Sequence, residues 1–207
     1  MGALQPSRAE NLERAGVKIH FEVFGTGAVT VLLLPAWSIV HSRLWKAQVP
    51  YLARRYRVIT FDGRGNGLSG RPQGPEAYRT DEFVADAVAV LDATASERAV
   101  AVGLSLGAHL AAVLTARHPE RVASAMLIAP SVPFGPLANI RMLEQFVAPE
   151  CGDQGWARFN RDYWRRDLEG FAQFFFEQCF VEPHSTKQIE DCVGWAMETS
   201  ADTLIDT

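Results

Sequence analysis

No stretch of this chain is apolar for long enough to cross a bilayer. Its longest apolar runs, such as Val29 to Leu34, fall far short of the roughly 20 residues that a spanning helix needs. The segment Met1 to Glu13 holds no apolar core between a basic start and a small-residue cleavage site, so no secretory leader is expected. An excess of positive charge is lacking too. With 20 Lys and Arg against 24 Asp and Glu the net charge is -4, which gives neither nucleic acid nor an anionic membrane a reason to bind. Cysteine is scarce. The three present, Cys151, Cys179 and Cys192, are odd in number and show no metal-ligand spacing. Buried thiols in a reducing cytoplasm are expected rather than disulfides or a metal site. No internal repeat or low-complexity tract is found, and no cofactor is expected.

What is present suits one globular domain: 207 residues, 48% hydrophobic and 21% charged, enough to bury a sizeable core. Val17, Ile19, Phe21 and Val23 alternate with Lys18, His20 and Glu22, which predicts a half-exposed strand over Gly16 to Phe24. The aliphatic run Val29 to Leu34 predicts a strand buried on both faces. A helical stretch from Ser42 to Arg54 and a strand from Tyr56 to Phe61 follow, then a glycine-rich loop from Asp62. Thr80 is expected to cap a helix whose Phe83, Val84, Ala87, Val88 and Leu91 share one face. Ala99 to Leu104 reads as strand, Leu106 to His118 as helix and Val122 to Ala129 as strand. Strands alternating with helices at this spacing predict a mostly parallel α/β sheet covered on both faces.

After residue 132 the texture changes. Trp156, Phe159, Tyr163, Trp164, Phe171, Phe174, Phe175, Phe176, Phe180 and Trp195 crowd a segment with no β-like run. Residues 1–132 are therefore expected to form the core, and 133–207 a helical cap. The four phenylalanines from Phe171 to Phe176 are expected to pack cap against sheet or to line an acyl or aryl pocket. Arg158, Arg161 and Arg165 are placed on one helix face, offset by Asp162, Asp167 and Glu169 as a solvated surface.

Gly103-Leu104-Ser105-Leu106-Gly107 fits G-x-S-x-G and stands between a strand and a helix. That corner forces strain on the serine and presents its hydroxyl beside the free N–H groups of the helix start. Gly65 to Gly70 fits G-x-G-x-x-G, but it runs into Arg71-Pro72-Gln73-Gly74-Pro75 and not into a helix. A dinucleotide site is thereby excluded.

On these residues the chain resembles the α/β-hydrolase superfamily, from about Gly16 onward. Asp62-Gly63-Arg64-Gly65-Asn66-Gly67-Leu68-Ser69 is similar to its D-x-R-G-x-G-x-S loop, and His118-Pro119-Glu120-Arg121-Val122 to its link into the sixth strand. The stretch Trp37 to Arg71 is also similar to hydrolase modules of actinobacterial multidomain proteins. The resemblance implies the first six strands of that fold and a serine hydrolase acting on an ester or related acyl bond of a small molecule. It implies Ser105 as nucleophile, with the backbone N–H groups of Trp37 and Leu106 as oxyanion hole. Here Pro35-Ala36-Trp37 stands where the family usually has His-Gly-x.

A serine hydroxyl needs a base, and the base needs an orienting carboxylate. The family order is Ser, acid, His, and neither later member has a matching position in this chain. His41 reads as a pocket-side residue, His109 as helix core, His20 as strand face, His118 as a residue before proline and His184 as a turn residue. The chain is accordingly expected to be C-terminally truncated relative to the family and inactive alone. Its sixth strand is expected to form an open edge prone to self-association or complementation. The alternative is a non-catalytic relative used as a binding or regulatory module.

Overall fold

The computed structural model describes residues 4–131, 144–149 and 152–207. The boundary expected at 132–133 and Cys151 lie outside the described residues. Six strands form one sheet: β1 (Arg8–Arg14), β2 (Val17–Phe24), β3 (Thr30–Leu33), β4 (Arg57–Phe61), β5 (Ala99–Leu104) and β6 (Val122–Ile128), in the order β1-β2-β4-β3-β5-β6. β1 and β2 form an antiparallel hairpin with Arg14 opposite Val17. Its two turn residues, Ala15 and Gly16, take φ of 50° and 74°, as a tight two-residue hairpin requires. β2 also runs antiparallel to β4, whereas β3, β4, β5 and β6 are mutually parallel.

Helices with both ends among the described residues are α1 (Gln48–Leu52), α2 (Thr80–Ala93), α3 (Leu106–Arg117), α4 (Arg161–Arg166), α5 (Leu168–Cys179), α6 (Thr186–Ala196) and α7 (Ala201–Asp206). α2 and α3 cover one sheet face, where Phe83, Val84, Ala87, Leu91, Leu110 and Leu114 meet Ile19, Phe21, Leu32 and Ile59 in a continuous core. On the other face Trp45 and Val49 pack against Val31, Leu33, Val58 and Val102. The stretch expected as one helix over Ser42 to Arg54 is instead a 3-10 turn, Ser42–Trp45, followed by the short α1. Pro50 lies inside α1, and it supplies no N–H to extend the helical ladder.

Thr80 does not cap α2. Arg79 holds the cap position in extended conformation, with no side-chain cap hydrogen bond, because a 3-10 turn over Pro75–Tyr78 feeds the helix one residue earlier. The apolar face of α2 is as expected but has a charge set into it. Asp86 is fully buried and accepts from Arg64 through Nε at 2.7 Å and Nη2 at 2.8 Å. Arg14 of β1 donates to the same carboxylate at 2.5 Å. Two guanidinium groups thus hold the buried carboxylate, and Glu82, which pairs with both of them, balances the second positive charge.

Coverage of the sheet is not uniform. Among the described residues β6 is paired on one side only, and Met126, Leu127 and Ile128 are 58%, 44% and 39% exposed. Beside it an apolar groove of about 620 Å³ runs over Val31, Leu33, Tyr51, Val102, Met126 and Ile128.

α4 to α7 pack over the loop that follows β3. Ala36, Ile39 and Val40 are buried against Trp164, Phe171, Ala172, Phe176 and Val193. Polar contacts close the same seam: Trp37 Nε1 donates to Thr207 Oγ1 at 2.7 Å, and the Gly74 N–H donates to Asp206 at 2.8 Å. Arg161 and Arg165 lie on α4, but Arg158 belongs to a separate 3-10 turn, Gly155–Arg158, so the three do not share a helix face. Arg165 pairs with Asp202, and Arg166 with Asp153. Arg158 instead lies over the rings of Tyr163 and Phe174. Among the described residues, no helix is long and apolar enough to cross a membrane.

Candidate active site

Ser105 occupies the corner between β5 and α3 with φ 57° and ψ -118°. A non-glycine residue at positive φ costs of order 1–3 kcal/mol and persists only where its surroundings enforce it. Those surroundings are specific. The Ser105 N–H donates to the Ile128 carbonyl at 3.0 Å, and its own carbonyl accepts from Ala108, His109 and Ser131. A Cβ on Gly103 would meet the Gly107 carbonyl at 2.0 Å, so the chain turns this tightly only with glycine there. Gly107 in turn abuts Pro35 at the end of β3. The strand, the helix and the following loop are thereby drawn to one point.

The Ser105 side chain opens into a cavity of about 470 Å³ between this corner and the helical layer. Leu104, Ile39, Val40 and Leu44 line the sheet side, while Phe175, Phe176, Phe180 and Trp195 line the helical side. Trp37 lies between the two. Its ring stands 5.6 Å from Trp164 and 5.6 Å from Phe175. Of the phenylalanines expected to pack or to line a pocket, Phe171 is buried under Trp37 and Trp164, Phe175 and Phe176 reach the cavity, and Phe174 packs on Trp156. Lys46 and Asp191 form an ion pair at the rim, with Lys46 Nζ 5.2 Å from the Trp195 ring centre.

The backbone N–H groups of Trp37 and Leu106 find no acceptor among the described residues. Cys179 and Cys192 also line the cavity. Cys192 is buried as expected, but Cys179, at the end of α5, is exposed. Burial pushes the Cys192 thiol up to about 11, which leaves it protonated and a poor nucleophile at neutral pH. Among the described residues, no cluster of three or more His, Cys, Asp or Glu side chains is placed to hold a metal ion.

None of the five histidines lines this cavity. His20 meets Asn11 across the β1–β2 hairpin at 3.0 Å, His118 lies 3.6 Å from Glu120, and His184 is exposed. His41, read from sequence as a pocket-side residue, points instead into the seam between Asp62 and Glu198. The Asp62 loop holds its shape through that carboxylate, which accepts from the Ser42 and Leu68 N–H groups at 3.0 and 2.8 Å. It continues into a 3-10 turn and not into a phosphate-binding helix.

The chain belongs to the α/β-hydrolase fold family, whose model matches residues 29–183. Epoxide hydrolase B of Mycobacterium tuberculosis is 43% identical over 156 residues, which cover 74% of this chain and 41% of that protein. The 2-hydroxymuconate semialdehyde hydrolase of a Pseudomonas species is 34% identical over 129 residues, 59% of this chain and 44% of its own. A solved hydrolase from Pseudomonas aeruginosa superposes with a TM-score of 0.70 at 25% identity, covering 97% of this chain and 71% of that one. The enol-lactonase of Burkholderia xenovorans, at 20% identity, matches with a TM-score of 0.73 over 95% of this chain and 71% of its own. That last likeness shows the fold. This chain spans less than half the length of the curated relatives it matches.

Proposed function

We propose that Ser105 is the nucleophile of a hydrolase that cleaves an ester or related acyl bond in a small, largely apolar substrate. The observation that carries this reading is the strained Ser105 at the head of α3, facing an aromatic cavity. Strain is retained where it serves presentation of a group. In this reading Ser105 Oγ attacks the carbonyl carbon while the Trp37 and Leu106 N–H groups, which have no acceptor among the described residues, receive the developing oxyanion. Each such donor is worth about 3 kcal/mol in the transition state. Phe175, Phe176, Phe180 and Trp195 hold the acyl or aryl part, and the helices from Arg161 onward act as a cap. The setting is the cytoplasm, where reducing conditions suit the unpaired thiols of Cys179 and Cys192.

In this reading Ser105 lacks a histidine base, because among the described residues no histidine lines the cavity. The chain alone is therefore inactive, or retains only the residual ~10³–10⁴-fold advantage that oxyanion donors and binding give without a complete triad. The same observation favours a second reading, in which the chain binds a small molecule without turning it over. The apolar β6 edge, without an outer strand partner among the described residues, is a further support for self-association or complementation by another chain.

Mass spectrometry after prolonged incubation with a fluorophosphonate tests the assignment. A single adduct on Ser105, absent from Ser105→Ala, is expected. Stable binding of apolar esters with no adduct at Ser105 selects the second reading.

A further inference from the structure

The Ser105 cavity has apolar walls and a polar mouth. Val40, Leu44 and Phe176 belong to the walls, whereas Lys46, Gln48 and Gln188 line the same cavity and are exposed. Lys46 follows the 3-10 turn Ser42–Trp45 on the sheet side, and Asp191 faces it from α6. The base of Lys46 is fixed, because the buried Trp45 donates through Nε1 to the Leu34 carbonyl at 3.1 Å. At the other end Lys46 Nζ pairs with Asp191 Oδ2 and lies 5.2 Å from the centre of the Trp195 ring. Asp191 has a second cation. Lys187, four residues back on α6, holds the other carboxylate oxygen, Oδ1, at 2.8 Å. Two ammonium groups therefore share one carboxylate at the mouth, and among the described residues Lys46 pairs with no other acid.

We infer that Lys46 is a subsite for an anionic group on the substrate: a carboxylate at the far end of the apolar part takes the Lys46 ammonium over from Asp191. The inference rests on the reading of this cavity as the substrate site, and it narrows the substrate to an ester or related acyl compound that carries a separate carboxylate. Its physical basis is the doubled cation. When Lys46 turns to a ligand, Asp191 keeps Lys187 on its other oxygen, so the exchange leaves no carboxylate unpaired. An ammonium has three donors, and the one over Trp195 can accept a new partner without leaving the ring. A cationic tail meets the reverse situation, since it must compete with two ammonium groups for Asp191. A neutral tail gains no charge-assisted bond. Gln48 and Gln188 add amide donors at the same rim. Lys46 is half exposed, so the expected gain is that of an exposed ion pair, about three- to fivefold in affinity.

Ligand-observed NMR titration of the full chain carrying Ser105→Ala, which reads binding without turnover, tests this at low salt. The probes are monomethyl suberate, its carboxamide counterpart and the corresponding amino ester, which differ only in the charge of the tail. The acid is expected to bind about three- to fivefold tighter than the amide, and the amino ester weakest. Lys46→Met keeps the stem without the charge and is expected to bring acid and amide to equal affinity. Lys46→Arg is expected to retain the preference. Asp191→Asn removes the internal competitor and is expected to enlarge it. Equal binding of acid and amide by the parent would overturn the inference, as would a preference that survives Lys46→Met or one that Asp191→Asn does not enlarge. Loss of the preference in both Lys46→Met and Lys46→Arg would assign it to the shape of the side chain and overturn the inference too. If no probe binds, the subsite and the reading of the cavity as substrate site fall together. If all bind alike, only the subsite falls, and the fluorophosphonate result judges the nucleophile separately.

Discussion

Gly107 and Pro35 touch across the head of the sheet: a Cβ on Gly107 would stand 2.6 Å from the Pro35 carbonyl oxygen. This contact brings the first turn of α3 against the loop that carries Trp37. It bears on the separation of the two backbone N–H groups proposed to hold the oxyanion. Gly107→Ala must push helix and loop apart, and overpacking of this kind costs about 1–3 kcal/mol. Urea unfolding is expected to show that loss, and Ser105 adduct formation is expected to slow by more than the loss of folded protein explains. Unchanged stability and labelling would mean that the contact relaxes freely.

Asp86 offers a second test, on the fold alone. Its carboxylate is the shared partner of Arg64 and Arg14, and Arg64 is itself almost fully buried. Asp86→Ala takes from Arg64 its buried, doubly hydrogen-bonded partner and leaves it only the half-exposed Glu82 at 3.3 Å, a change that costs about 3–5 kcal/mol. Denaturant midpoints for the parent and Asp86→Ala are expected to differ by that amount, or the variant to fail to fold at 37 °C. A difference below ~1 kcal/mol would show that water or Glu82 takes over the guanidinium.

The third prediction concerns β6. Met126, Leu127 and Ile128 expose apolar surface along a strand whose outer N–H and C=O groups have no strand partner among the described residues. Such edges pair with other chains. Sedimentation at tens of micromolar is expected to show self-association that Leu127→Lys weakens. A monodisperse parent that melts cooperatively as a monomer would contradict it.

Much of the core was legible in the sequence because its strands are apolar runs of distinct period. β2, β3, β4, β5 and β6 lie within a residue or two of the stretches read from Val17, Val29, Tyr56, Ala99 and Val122. β1 was not legible. Its residues, Arg8 to Arg14, are mostly polar, and as an edge strand it packs chiefly Leu12 against the core. Edge strands carry little of the alternation that marks a half-buried one.

At the site, the Ser105 corner was readable because a strand, a G-x-S-x-G turn and a helix are adjacent in sequence. The placement of Trp37 among Trp164, Phe171 and Phe175 was not, since those partners lie more than a hundred residues away. The same holds for His41. Its setting depends on Asp62 and Glu198, which no local pattern links. The one available signal was the aspartate opening the glycine-rich loop.

The most direct test of the account is the rate at which a fluorophosphonate forms its adduct on Ser105, measured with and without added imidazole. If Ser105 is correctly presented but has no base of its own, unaided labelling is slow. Free imidazole then raises it at least tenfold, and Ser105→Ala shows no adduct under either condition. Rapid labelling of the chain with no imidazole present would contradict the account, because it would require a proton acceptor within reach of the Ser105 hydroxyl.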